Sequence, residues 1–249
     1  MNGTPVNEMP AKNPCENHVL CTRNLSRNFG GVQALRNVEL HITRGAITGL
    51  IGPNGSGKTT LFQAVSGMDR NATGDVRLIR KPILGKRASE IYRAGLARTF
   101  QLSRLFPELT VAENLVVAAM PNAPNAEERA NQLLRRVNLH YYHDIFASDL
   151  SYGQKRLVEF LRVIMANPAL ILLDEPAAGI NLTLRQGLWN MVRELNAQGT
   201  TFLIIEHDMS VIANLCADVY VLNEGEVIAY GDLDSVRQNE RVQEAYFGT

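Results

Sequence analysis

Gly52-Pro53-Asn54-Gly55-Ser56-Gly57-Lys58-Thr59 is the stretch that decides how this chain folds. The apolar run Ala46 to Ile51 before it reads as a strand entering a glycine-rich turn, and helical spacing follows from about Lys58. The octapeptide matches GxxxxGK[ST] in the strand-turn-helix context that this pattern requires. Glycines let the backbone curl so that successive N–H groups point inward, and the helix N-terminus adds partial positive charge, which together make a cradle for phosphate. Lys58 is placed to neutralise the β and γ phosphates of ATP. Thr59, followed by Thr60, offers a hydroxyl to Mg2+. The glycines at 49, 52, 55 and 57 do not supply GxGxxG, so a dinucleotide fingerprint is excluded.

Outward from this turn, two apolar runs end in acidic residues: Leu170 to Leu173 before Asp174-Glu175, and Phe202 to Ile205 before Glu206-His207. Buried parallel strands have this form, and open parallel sheets carry their ligand-binding groups at such strand ends. Asp174 is expected to hold the Mg2+ shell, Glu175 to polarise the attacking water as general base, and His207 to hydrogen-bond the γ-phosphate. Val38, Leu40 and Ile42 alternate with polar neighbours, the mark of a half-buried strand. From Gly95 to about Asn167 the pattern is mostly helical, with Thr110 as a cap, Leu133, Leu134 and Val137 on one side of a helix, and a loop at Pro121 to Asn125. Glu224-Gly225-Glu226-Val227 reads as a hairpin turn and Asp232 to Phe247 as a terminal helical pair.

Leu150-Ser151-Tyr152-Gly153-Gln154 precedes a helix with Leu157, Val158, Leu161, Ile164 and Met165 on one stripe. Ser151 and Gln154 alone make a capping box. With the phosphate loop upstream, the chain resembles the ABC ATPase family, whose LSGGQ signature precedes an apolar strand ending in Asp-Glu. Six elements stand in the family's order: Phe29, the phosphate loop, Gln101 in Thr99-Phe100-Gln101, the signature, Leu172-Leu173-Asp174-Glu175-Pro176, and Glu206-His207-Asp208. Tyr152 replaces the signature's first glycine, and Asn181 stands where many members carry aspartate.

The resemblance runs from about His18 to the end. It implies an α/β P-loop NTPase core with a mostly parallel sheet, an N-terminal antiparallel β part and a helical subdomain inserted at about residues 96–167, within one domain spanning 18–249. It also implies roles. Phe29 stacks on the nucleotide, Gln101 joins Thr59 and Asp174 at the metal and takes part in catalysis, and Ser151, Tyr152, Gly153 and Gln154 of one subunit close on ATP held by Lys58 of a second, identical or different, ATPase subunit.

Gly95 to Gln101, Glu175 to Asn181, Ile205 to Met209 and Ala245-Tyr246-Phe247-Gly248 resemble the branched-chain amino-acid importer ATPases, whose near relatives serve urea, amides or aromatic acids. That branch implies integral-membrane permease subunits as partners, docked along Phe106, Leu109 and Val111. It implies a substrate-binding protein only indirectly, and a peripheral place on the cytoplasmic face of the inner membrane.

Composition agrees. The 249 residues hold 25 Lys+Arg against 25 Asp+Glu, and this zero formal charge argues against nucleic acid as a partner. A DNA-maintenance ATPase of the same superfamily would carry long heptads and basic surfaces, and a small-molecule P-loop kinase would not need the Ser151 signature. The longest apolar runs are far short of the roughly 20 residues that span a bilayer. Residues 1–17, rich in Asn, Pro and Glu, read as a loose tail and not a signal peptide. Cys15, Cys21 and Cys216 form no CxxC pair, so spacing gives no sign of a disulfide framework or a zinc site. His140, His143 and Asp144 lack the further ligands a metal site needs.

Overall fold

The structure is a computed structural model, and it describes residues 15–99, 105–119 and 124–247. Phe100, Gln101, Gly248 and most of the loop expected at Pro121 to Asn125 lie outside the described residues.

β1 (His18–Phe29) and β2 (Val32–Thr43) form a long antiparallel hairpin. Its register slips between Thr22 and Leu25, and there the buried Thr22 hydroxyl takes over ladder duty, donating to Val38 O at 2.9 Å and accepting from Leu40 N at 2.9 Å. β3 (Ile47–Ile51) then leads through the glycine turn into α1 (Lys58–Val65). β4 (Thr73–Leu78) and β5 (Lys81–Pro82) complete an antiparallel sheet of order β2-β1-β4-β5. After α2 (Ala88–Arg93) comes β6 (Leu96–Arg98), and then the helical part: α3 (Val111–Ala118), α4 (Ala126–Arg136) and α5 (Tyr152–Met165).

β7 (Leu170–Asp174), α6 (Leu182–Ala197), β8 (Thr201–Ile205), α7 (Met209–Leu215) and β9 (Asp218–Asn223) alternate strand and helix. The Glu224-Gly225 turn, both residues at positive φ, folds β10 (Glu226–Gly231) back on β9, and α8 (Leu233–Arg237) and α9 (Glu240–Phe247) follow. The second sheet has the order β10-β9-β3-β8-β7-β6, parallel throughout except for β10.

The helical stretch read from about residue 96 therefore opens with a strand instead. Leu96 to Arg98 is captured at the sheet edge because Ala169 and Leu170 donate to Gly95 O at 2.8 and 3.0 Å, pairing that lies some seventy residues downstream and leaves no local periodicity.

β7 is buried along its whole length, which is why its sequence is an unbroken apolar run. Leu170 and Leu172 face a core shared with α1 and the antiparallel sheet, while Ile171 and Leu173 face the core of α3 to α6. Each such side chain contributes about 1.5–3 kcal/mol by leaving water. The sheet is thus clamped from both faces, and the groups set for chemistry follow the C-terminal ends of its strands.

Asn114 fixes the approach to α3. Fully buried, its Nδ2 donates to the carbonyls of Phe106, Leu109 and Thr110 at 2.9, 3.2 and 3.0 Å, and its Oδ1 accepts from Phe106 N at 2.8 Å. One amide side chain thereby ties together four backbone groups at the entry to α3. Asn114→Leu leaves Phe106 N without its hydrogen-bond partner, strips one of two partners from the carbonyls of Phe106, Leu109 and Thr110, and should lower unfolding free energy by roughly 1–3 kcal/mol in urea denaturation. A loss below about 1 kcal/mol would mean that the segment holds itself.

Candidate active site

The phosphate loop is shaped by what presses on it. Gly52 sits at φ 149°, and a Cβ there would lie 2.0 Å from the Leu222 carbonyl on β9, so no other residue fits. Gly225 N donates to Ser56 O at 2.9 Å and accepts Arg36 N on its own carbonyl at 2.8 Å, which ties the loop to the β9–β10 turn and to β2. Inside this frame Lys58 is buried. Its Nζ donates to Gly52 O at 2.8 Å, Pro53 O at 2.9 Å and Ser56 Oγ at 3.4 Å. Burial pulls the Lys58 pKa below its ordinary value, while the charges of Glu175 and Asp174 work the other way. Thr59 is exposed and Thr60 half-buried at the first turn of α1.

The last helix also reaches this loop. Burial raises the Tyr246 hydroxyl's pKa, and a hydrogen bond from the Gly52 backbone opposes that rise. The sequence marked Tyr246 only as part of a terminal motif; nothing local in it shows a contact made nearly two hundred residues away.

Asp174, 1% exposed, closes β7. Arg98 Nη2 donates to its Oδ2 at 2.8 Å, and its own N–H donates to Thr99 Oγ1 at 3.2 Å. Oδ1 has no hydrogen-bond partner among the described residues. A buried carboxylate oxygen left over in this way fits a hard divalent cation, which takes oxygen ligands. Arg98 escaped the sequence reading, since an arginine at a strand end carries no signature until its partner is known.

Glu175 follows at φ +45°, an uncommon conformation for a side chain this large, and one that costs on the order of 1–3 kcal/mol where it persists. Its N–H donates to Ile205 O at 3.0 Å, and Arg156 Nη2 donates to its carbonyl at 3.3 Å. The carboxylate is thereby turned out of the strand, and its Oε1 stands 2.8 Å from His207 Nε2. The sequence points His207 at phosphate; in the structure its Nε2 meets the Glu175 carboxylate.

Phe29 stands half-exposed at the hairpin tip with the Arg27 guanidinium 4.0 Å from its ring centroid, while Arg27 also pairs with Asp69 after α1. Ser151 caps α5 by the reciprocal bonds that the sequence implied: Gln154 N to Ser151 Oγ at 3.4 Å and Ser151 N to Gln154 Oε1 at 2.9 Å. Tyr152 lies on the Gly179 backbone, where a Cβ would meet its ring at 2.8 Å. Gly153 faces Ile180 and Leu184, and Asn181 caps α6 by accepting from Leu184 N at 3.0 Å. Among the described residues, no hydrogen bond joins Ser151 to Gln154 with the phosphate loop.

Glu206 lies behind Glu175. Burial raises its pKa and the Glu175 charge adds to the rise, against backbone N–H bonds from His207, Ala177 and Asp208. A carboxyl whose folded pKa lies above its unfolded value contributes stability at low pH that is lost as pH climbs through the folded value. Glu206→Gln removes that titration. The variant's stability advantage over the parent should therefore grow as pH rises from the ordinary glutamate value near 4.5 toward neutrality, read by thermal melts across pH; a flat difference would contradict it.

Comparison with known proteins places this geometry. The family profile described as "ABC transporter" matches residues 35–178, and that described as "Branched-chain amino acid ATP-binding cassette transporter" matches 226–249. A probable branched-chain amino acid transport ATP-binding protein LivG of Methanocaldococcus jannaschii is 36% identical over 250 residues, 92% of this chain and 97% of the relative. The high-affinity LivG of Salmonella typhimurium is 37% identical over 249 residues, 92% and 98% of the two chains. Among solved structures, a nucleotide-free ATP-binding cassette from an ABC transporter superposes with TM-score 0.84 at 35% identity, covering 93% of this chain and all of that one. The ADP conformation of an ATP-binding cassette superposes with TM-score 0.82 at 36% identity, covering 93% and 99%. With the phosphate loop, the Asp174-Glu175 strand end and the capped signature helix in place, the chain belongs to the ABC transporter ATP-binding cassettes, the ATPases that power transport.

Proposed function

We propose that this chain binds Mg2+ and ATP between its phosphate loop and the Ser151 segment of a second cassette, and that hydrolysis there drives import of branched-chain amino acids through permease subunits. The observation that carries the catalytic part is the Glu175–His207 pair beside Asp174, at the strand ends that flank the phosphate loop.

Lys58 exchanges the carbonyls of Gly52 and Pro53 for phosphate oxygens, so the ammonium is already held where the nucleotide arrives. Thr59, Asp174 and Gln101 would hold Mg2+, which would supply neutralisation of the charge that develops on the phosphates. Arg98 keeps Asp174 aimed. Glu175 accepts a proton from the attacking water, and His207 orients that carboxylate and donates to the γ-phosphate as the site closes. Phe29 supplies a face for the base.

The signature contributes from across the dimer. Ser151 Oγ accepts an N–H as a cap, so its hydroxyl hydrogen stays available for a phosphate oxygen, and the first N–H groups of α5 add a second anion site. Tyr152 spends its bulk on Gly179 of its own subunit. The same α5 sends Arg156 to the Glu175 carbonyl, which links one site's general base to the helix that serves the other.

Membrane docking has its own surface. A cleft of about 790 Å3 lies between the sheet edge and the helical part, lined by Tyr92, Arg98, Phe106, Val117, Glu159 and Arg162. Met68, Phe106 and Val117 expose apolar area at it. A helix from a permease loop fits this cleft, with Phe106 as the central contact and Arg162 over its ring at 5.1 Å. Of the residues the family resemblance named, Leu109 is half-buried and Val111 fully buried in the helical core, so Val111 serves packing alone. Among the described residues no helix is long and apolar enough to cross a membrane, in keeping with a peripheral subunit on the cytoplasmic face. The profile match over residues 226–249 and the LivG relatives support branched-chain amino acids as cargo.

Steady-state ATPase activity per chain should rise with protein concentration and fall at least about a hundredfold in Glu175→Gln, with Lys58→Ala and Ser151→Ala also impaired. Glu175→Gln should accumulate as an ATP-bound dimer on gel filtration. Activity independent of concentration and indifferent to Ser151 would leave a one-subunit P-loop enzyme. In membranes, Phe106→Glu should abolish ATP-driven leucine uptake while the isolated subunit keeps its ATPase activity; unchanged uptake would move the docking surface elsewhere.

A further inference from the structure

Away from the phosphate loop, strand pairing assembles a set of soft donors that spacing alone does not show. Cys21 on β1 and His41 on β2 are direct cross-strand partners, and both are buried. His18 lies three residues before Cys21, an offset that in a regular strand would turn it to the opposite face. The register slips between His18 and Leu20, and that irregularity brings the His18 side chain round to the same cluster, with the two imidazole centroids 5.4 Å apart. One ligating atom from each of His18, Cys21 and His41 lies within 4.8 Å of the others. Cys15, ahead of the strand, stands near enough to Cys21 to act on its thiol and offers a fourth donor.

We propose that Cys15, His18, Cys21 and His41 form a Zn2+ site that staples the segment before β1 to the edge of the antiparallel sheet. Four-coordinate zinc bound by two sulfurs and two imidazoles holds its donors roughly 3.3–3.8 Å apart, so His18, Cys21 and His41 need to contract by about an ångström and Cys15 to swing in and join them. The donor set is mixed thiolate and imidazole, the combination that selects zinc over hard cations. Two thiolates and two neutral imidazoles leave the loaded site with no net charge, so the neighbouring Arg23 and Arg77 face no excess cation; Arg77 is moreover paired with Asp75 at 2.7 Å.

A second, separate observation points the same way. His41 is 7% exposed, and its Nδ1 is buried with no hydrogen-bond partner among the described residues. The backbone of the same residue is fully engaged: its N–H donates to Tyr220 Oη at 3.0 Å, and that hydroxyl donates to its carbonyl at 3.2 Å. Tyr220 on β9 thus fixes His41 in place while one ring nitrogen goes unsatisfied, a cost that a metal ligand would remove. His18 and Cys15 are half-buried and give an ion its path from solvent.

The test uses the untagged full chain, free of nucleotide, loaded with Zn2+ and passed through gel filtration, with Co2+ as the spectroscopic probe. One zinc per chain is expected, together with Co2+ ligand-field bands and a thiolate charge-transfer band that Zn2+ bleaches. Cys21→Ser and His41→Gln should lose the bound metal. Cys15→Ser and His18→Ala, at half-buried positions that leave the hairpin intact, should each weaken zinc binding at least about tenfold. Lys58→Ala should keep it, which separates this site from the nucleotide site. No stoichiometric zinc, zinc retained in the Cys15 and His18 variants, or a Cys15–Cys21 disulfide in protein purified under reducing conditions would each overturn the assignment.

Discussion

A carboxylate with almost no solvent contact needs a partner, and Asp174 takes Arg98. That ion pair connects the end of β7 to the end of β6, and the guanidinium also lies 5.5 Å from the Phe62 ring on α1. Three elements that carry chemistry or flank it therefore meet at one charge pair. Arg98 also lines the cleft on the other side of the same edge. A buried pair of this kind is weak evidence for stability, because desolvation consumes most of the Coulombic gain. Its role is geometric: it engages one carboxylate oxygen and leaves the other without a hydrogen-bond partner among the described residues.

Much of this architecture was legible in the sequence, and the reasons are local. The phosphate loop declares itself because glycine spacing, lysine and the flanking strand and helix occur within fifteen residues. β7 is legible because burial on both faces forbids polar residues along it. The Ser151–Gln154 capping box is legible because its two partners lie three residues apart. What escaped depends on distant partners. β6 is three residues long and exists only through β7. β1 carries His18, Arg23 and Arg27 and slips register more than once, so its alternation is broken where a periodic reading needs it whole. For Val111 the sequence leaves docking and core packing both open, and it is core because α3 packs on α5.

The two halves of the site differ in how they are held. The phosphate loop is gripped by β2, β9 and the turn after β9, all of them sheet elements. The signature is held by helix capping and by contact with the segment that leads into α6. One half is built into the sheet and the other into the helical part, so in the two-subunit site proposed above relative motion of the two parts would move one half with respect to its counterpart. Motion of that kind suits an engine that must open and close around a ligand.

The position of β3 has a consequence for how the chain is born. Its sheet neighbours are β8 and β9, whose residues emerge from the ribosome some hundred and fifty positions later, and the Tyr246 contact to Gly52 comes later still. Until those strands arrive, the glycine turn has neither the Leu222 carbonyl nor the Gly225 bonds that shape it. The strongest signal in the sequence is thus among the last places in the fold to acquire its form, and a nascent chain stopped short of β8 presents an apolar strand without either sheet neighbour, the state most in need of a chaperone.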